Sequence, residues 1–218
     1  MRRAGNSFQF SGPVCEVNDV SDRVLWRRAR DGDDAAFGIL FERHAGRIYN
    51  YCFRRTADWA LAEDLTSTTF LQAWRGRGRE SLQAESALPL LYGIATNVLR
   101  NQHRSLKRRR EAIARLPLAR ADEPDFSEDA VTRLDDRAAM RQLLGLFSRL
   151  PRREQDVIAL CDWSGLSYDD TALALGIPIG TVRSRLARGR RRLRELADAR
   201  GPEMDVNVVP VHAEVNEQ

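Results

Sequence analysis

The sequence predicts an all-α chain of two small helical domains joined by a flexible linker, and three observations predict it. Apolar residues recur at helical spacing through most of residues 22–196, and the N-terminal half shows no strand-period alternation. Around Leu116–Glu128 that pattern gives way to Pro117, Pro124 and the acids Asp122, Glu123, Asp125 and Glu128, and the charge changes sign after Arg120. Further on, Gly176-Ile177-Pro178-Ile179 joins two short amphipathic segments, the spacing of a helix-turn-helix. The expected boundaries are a disordered extension over 1–21, a first domain over 22–112, a linker over 113–129, a second domain over 130–199 and a disordered tail over 200–218.

In the first domain, Val24-Leu25-Trp26 forms a short apolar patch ended by Asp31-Gly32-Asp33-Asp34, where Asp33 or Asp34 suits a helix cap. The helix that follows, from Ala35 to about Arg54, places Phe37, Leu40, Phe41, His44, Ala45, Ile48, Tyr51 and Cys52 on one stripe. His44 reads as a packed histidine, because no partner at metal-ligand spacing is near it. Ala57-Asp58 starts a third helix, Trp59 to about Arg75, with Leu61, Leu65 and Leu71 on one side and Phe70 and Trp74 on the other. Such a helix is sandwiched in a bundle and leaves an exposed strip. Glu63 and Asp64 are adjacent there without a nucleophile, so an acidic contact strip for a basic partner is expected rather than catalysis.

After the polar loop 76–87, Leu88-Pro89 opens a fourth helix, with proline near its first position. Leu91, Ile94, Ala95 and Val98 form its buried stripe. Tyr92, Thr96, Asn97, Arg100, His103 and Arg104 are expected outside it, leading to the basic run Lys107-Arg108-Arg109-Arg110. Aromatic, amide and arginine side chains on one surface suit a single strand, where rings stack on bases, amides read edges and arginines follow phosphates.

In the second domain a helix is expected from about Ala130 to Arg149, stopped by Pro151, which starts another carrying Val157, Ile158 and Leu160-Cys161. Ser167 with Asp170 three residues on makes a capping-box-like start, Gly176 a left-handed stop, and Pro178 the start of the last helix. On that helix Val182, Leu186, Gly189, Leu193 and Leu196 share one face, while Arg183, Ser184, Ala187, Arg188, Arg191 and Arg194 share the opposite one. Seven arginines lie between Arg183 and Arg194. Their position directly after the turn points to a helix that docks in a DNA major groove.

Composition narrows the function. The 218 residues carry a net charge of only +4, although the sequence pI is about 9.3, so local basic patches rather than the total charge set the partners. Cys15, Cys52 and Cys161 stand far apart, without a CxxC pair, and neither a zinc site nor a disulfide framework is expected. No apolar run approaches the ~20 residues of a membrane span, and Met1-Arg2-Arg3 is not followed by the apolar core of a signal peptide. A cytoplasmic protein without cofactor, metal or small-molecule substrate is expected.

The order of these segments resembles the extracytoplasmic-function (ECF) group of the bacterial sigma-70 factors, over about residues 22–198. WALAEDLTSTTFLQAW is similar to region 2.2 of that family, LPLLYGIATNVLRNQHR to regions 2.3 and 2.4, and LPRREQDVIAL with GLSYDDTALALGIPIGTVRSRLARGRRRL to region 4. The resemblance implies that Glu63, Asp64, Leu65 and Phe70 dock bacterial core RNA polymerase. It implies that Tyr92, Asn97, Arg100, Asn101 and Arg104 meet the −10 element as a single strand. Thr181, Arg183, Ser184, Ala187, Arg188 and Arg191 would read the −35 element as duplex, and the linker would run through the polymerase's active-site channel and RNA exit path. An anti-sigma protein is a further implied partner. The chain departs from many relatives at Leu90-Leu91-Tyr92, where Trp-Leu-Tyr is usual, and at Ser67-Thr68-Thr69-Phe70, where a glutamate is usual. The alternative reading is a LuxR-type regulator, which shares the EQDVIAL and TVRSRL pattern and binds operator DNA without polymerase. A nuclease is disfavoured, because no carboxylate, histidine or cysteine cluster has the spacing for it.

Overall fold

The computed structural model describes residues 20–113 and 144–199. Four helices make up the first half: α1 (Asp22–Arg30), α2 (Asp34–Thr56), α3 (Trp59–Gly76) and α4 (Leu88–Ile113). The second half contains α5 (Arg152–Ile158), a π-helical turn (Ala159–Trp163), α6 (Tyr168–Leu175) and α7 (Ile179–Asp198). Apart from Val20 and Ser21, which lead into α1, and Ile113, which ends α4 where the linker was expected to begin, the expected extension, linker and tail fall outside the described residues, as does most of the helix expected from Ala130. Residues 144–149 of that helix are described: 144–147 are helical, and Ser148 and Arg149 form a turn, so the helix ends two residues before the expected Arg149.

Local chemistry sets the helix starts. Asp33 caps α2 by accepting from the Ala36 amide at 3.1 Å, and Asp58 caps α3 through the Leu61 amide at 3.1 Å. Between them Ala57 adopts a left-handed backbone (φ 50°), which ends α2 two residues beyond the expected Arg54. In the second half the Ser167 hydroxyl accepts from the Asp170 amide at 3.0 Å and donates to the Asp170 carboxylate at 2.8 Å. Gly176 (φ 62°, ψ 42°) then ends α6, with the Ile177 amide reaching back to the Ala172 carbonyl at 3.1 Å.

α2 packs against α1 and α3, and α3 packs in turn against α4. Leu25, Leu40, Ile48, Leu91 and Leu99 are buried where these helices meet. Each contributes about 1.5–3 kcal/mol relative to exposure. Phe41 and Leu71 depart from their expected buried stripes: both are more than two-fifths exposed, because no described element covers their side of α2 and α3.

The halves also pack on each other. α4 lies against α6, and the buried side chains of both halves form one continuous cluster. At the closest approach a Cβ built on Gly93 of α4 falls 2.6 Å from the Ala174 carbonyl of α6, so only glycine lets the two backbones meet there.

Candidate nucleic-acid interface

α7 is oriented by its apolar face. Val182 and Leu186 are buried, Leu193 and Leu196 are half-buried, and Gly189 sits so tightly on α5 that a Cβ would come within 2.7 Å of Ile158 Cδ1. With that side fixed, Arg183, Ser184, Ala187, Arg188 and Arg191 are exposed, and Thr181 is half-buried at the helix start. The arginines divide by role. Arg190 pairs with Asp162, and Arg192 pairs with Glu154 at 2.7 Å, both tying α7 to its own half. Arg183, Arg188 and Arg191 point outward, where guanidinium forks match guanine edges and phosphates.

On α4, Asn97, Asn101 and Arg104 are exposed, as expected. Two residues placed on that outer surface by the helical wheel turn inward instead. Tyr92 is 2% exposed and packs edge-on against Tyr51 (ring centroids 5.2 Å apart), and Thr96 is 1% exposed and bonded to the Tyr51 hydroxyl at 2.8 Å. Both face Tyr51 of α2, and Tyr92 also meets Ser164 of the second half, partners that the period of α4 alone does not reveal. Burial pushes the Tyr92 hydroxyl above its ordinary pKa, so it is neutral at physiological pH.

Arg100 is half-buried and engaged. Its Nε and Nη2 donate to one oxygen of Asp156 on α5, at 3.0 and 2.8 Å, and its Nη1 donates to Asn97 at 3.4 Å. Arg55 at the end of α2 donates to the other Asp156 oxygen at 3.0 Å. Asp156 is 1% exposed. Beside it opens a cleft of about 500 Å³ between the halves, into which Arg100, Arg104, Arg152, Arg153 and Arg185 project. His103 stays neutral at pH 7, because burial and then Arg152 and Arg55 depress its pKa.

Arg55 and Asp156 have no counterpart in the sequence expectations. Their only sequence signal is a charged residue within an otherwise apolar stripe, and the partners are 101 positions apart. The π-helical turn is also absent from them. It lets Trp163 pack on Phe147 (centroids 4.2 Å apart) and presents the Trp163 carbonyl to Arg54 at 2.8 Å.

On α3, Glu63 and Asp64 are exposed, whereas Leu65 and Phe70 are buried beneath them in the bundle. Cys52 is buried and its thiol is pushed up to about 12 by burial, so it is no nucleophile. Among the described residues no group of histidine, cysteine, aspartate or glutamate is placed to hold a metal, and no helix is long and apolar enough to cross a membrane.

The family model for sigma-70 region 2 matches residues 40–109, and that for sigma-70 region 4 matches residues 140–193. The ECF RNA polymerase sigma factor SigE of Mycolicibacterium smegmatis is 33% identical over 172 residues, a match spanning 75% of this chain and 63% of SigE. The RNA polymerase sigma factor CarQ of Myxococcus xanthus is 33% identical over 169 residues, covering 78% of this chain and 93% of CarQ. Among solved structures, CnrH in complex with the cytosolic domain of CnrY superposes with a TM-score of 0.63 at 22% identity, over 83% of this chain and 99% of CnrH. The sigma factor RpoE in complex with the anti-sigma factor NepR from Bartonella quintana gives 0.53 at 23% identity, over 72% and 94%. At these identities the structural likeness is one of fold.

Proposed function

The chain belongs to the sigma-70 family, among its extracytoplasmic-function members, and from that premise we propose that it binds bacterial core RNA polymerase and directs initiation at promoters with two recognition elements. Residues 22–112 act as region 2 and residues 130–199 as region 4. The reading is carried by two reading faces of different chemistry in one chain: an outward arginine face on a helix-turn-helix, and an amide-and-arginine face on α4. Arg183, Ser184, Ala187, Arg188 and Arg191, with Thr181 at the helix start, read the −35 element in the major groove. Asn97, Arg100, Asn101 and Arg104 meet the −10 strand, with Tyr92 joining once its covering partner moves away. Glu63 and Asp64 present the acidic surface for core enzyme, held in place by Leu65 and Phe70 beneath.

The chain supplies recognition and no bond-making step, and it works in the cytoplasm, where polymerase is. An anti-sigma protein is a further proposed partner, as NepR is for RpoE. Free chain binds DNA weakly, because two small surfaces gain affinity together only when both are fixed on polymerase. A LuxR-type regulator is not favoured, since both halves match sigma-70 regions.

The test is transcription from a promoter library by purified core enzyme, with and without the chain. Starts that depend on the chain and share two upstream elements are expected, and Glu63→Gln with Asp64→Asn should abolish core binding. Duplex binding by the chain alone, with no affinity for core, would overturn the reading.

A further inference from the structure

Several arginines of this molecule are each matched by an acid: Arg43 by Asp22, Arg28 by Asp33, Arg190 by Asp162 and Arg192 by Glu154. The cleft of about 500 Å³ between the halves departs from that pattern. Arg104 enters it from α4, Arg152 and Arg153 from the start of α5, and Arg185 from α7. None of these four has a carboxylate partner among the described residues. The acid in the wall, Asp156, is already engaged, with one oxygen held by Arg55 and the other by Arg100. Like charges that converge on one partly enclosed space raise its potential, and low-dielectric walls focus the field. His103, next to Arg104 on α4, registers it: burial first, and then the charges of Arg152 and Arg55, hold its pKa below the ordinary imidazole value. Leu175 at the end of α6 and Ile177 in the turn after it are half-buried and give the cleft an apolar wall.

The volume suits a small molecule and is too small for duplex DNA. Guanidinium forks arriving from three elements match oxygens spread along a chain of phosphates, whereas a single phosphodiester would leave most of them unanswered. We propose that this cleft is a binding site for an oligophosphate, a chain of several linked phosphates, either free or carried by a nucleoside whose ring rests on Leu175 and Ile177. Arg104, Arg152, Arg153 and Arg185 hold the phosphates, while Arg100 stays on Asp156. The ligand touches α4 and the second half together, so it favours their packing by mass action. In the function proposed above Arg104 also meets the −10 strand, and an occupied cleft withholds it from DNA. That consequence rests on the proposed function, whereas the site itself does not.

The test is calorimetric titration of the full chain, without DNA, polymerase or magnesium, at about 0.15 M salt. The probes are sodium tripolyphosphate and GTP. Saturable binding of tripolyphosphate at a single site is expected. Arg152→Ala and Arg153→Ala change exposed side chains and should keep the helix content by circular dichroism. Each should weaken binding about tenfold or more, the loss of a charge-assisted hydrogen bond. Arg183→Ala with Arg188→Ala, on the outward face of α7, should leave it unchanged. The His103 imidazole, followed by NMR, should titrate at a higher pH once tripolyphosphate is bound, because the anion offsets Arg152. GTP binding more tightly than tripolyphosphate, with the excess lost in Ile177→Ala, would assign the site to a nucleotide. Equal or weaker binding of GTP would assign it to the free phosphate chain. Absence of saturable binding would overturn the proposal, as would a His103 titration that ignores the ligand. So would a loss in the α7 pair equal to that in the α5 variants, which would put the anion on the duplex-reading face. A short DNA single strand that binds through Arg152 and Arg153 more tightly than tripolyphosphate would also overturn it, by making the cleft part of the strand's path. Failure of the sigma reading would instead appear as silence in core-dependent transcription and would leave these titrations untouched.

Discussion

Asp22 joins three segments that are far apart in the chain. Its carboxylate takes a bond from Arg43 at 2.6 Å, lies 2.6 Å from His44 Nε2, and accepts from the Ala87 amide at 2.8 Å and the Ser86 hydroxyl at 3.2 Å. The start of α1 is thereby tied to the middle of α2 and to the entry of α4. Burial alone would raise its pKa, but the bonds from His44 and Ala87, the charge of His44 and the bond from Arg43 together carry it well below the ordinary carboxylate range. A depressed pKa gives stability that is fully present above the unfolded value near 3.8 and is lost as pH falls toward the folded one. Asp22→Asn should therefore cost on the order of 2 kcal/mol at pH 7. The gap to wild type in thermal unfolding should hold down to about pH 5 and shrink below about pH 4. A gap that stays constant into acid would mean that Asp22 contributes by packing and not by charge.

At the scale of the element, α7 sorts its arginines by what lies beneath them. Lys107 is the lone lysine of the chain, so nearly every cation carries the planar fork that suits phosphate and guanine. Arg190 and Arg192 reach back to Asp162 and Glu154, while Arg183 and Arg188 have no acidic partner in α5 or the π-helical turn. In promoter binding by the holoenzyme, Arg183→Ala and Arg188→Ala should each lower the log–log salt slope by about 0.9 where the side chain meets phosphate. Arg190→Ala should leave the slope unchanged. An equal loss for all three would show that charge density alone, and not orientation, governs binding. The orientation of α7 was legible in the sequence because it follows from one local period read against one core. The caps at Asp33, Asp58 and Ser167 and the stop at Gly176 were legible for the same reason, each lying within a few residues of the group it satisfies. Tyr92 and Thr96 were not, because a wheel assumes one buried side whereas α4 has two, one toward the bundle and one toward α2 and the second half. Arg55 and Asp156 escaped because a pairing across the whole molecule leaves no period to detect.

The whole molecule uses arginine in two electrical settings. Those on the outer face of α7, with Arg104 on α4, stand in water, where about 0.15 M salt screens interactions beyond ~8 Å and phosphate binding releases counterions. Arg55 and Asp156 stand at 8% and 1% exposure, where ions and water scarcely reach. Pairs of that kind are little affected by salt, and breaking one strands the remaining charge, which makes the contact all-or-none. The contact between the halves and the reading of DNA should therefore respond differently to the same salt. Between about 0.05 and 0.5 M sodium chloride, the scattering profile of the free chain should stay unchanged while the affinity of the holoenzyme for promoter DNA falls steeply. A chain that expands with salt in step with the loss of DNA binding would place the contact between the halves among the screened, exposed pairs. An unchanged profile would leave the separation of the halves to a partner, and not to ionic strength.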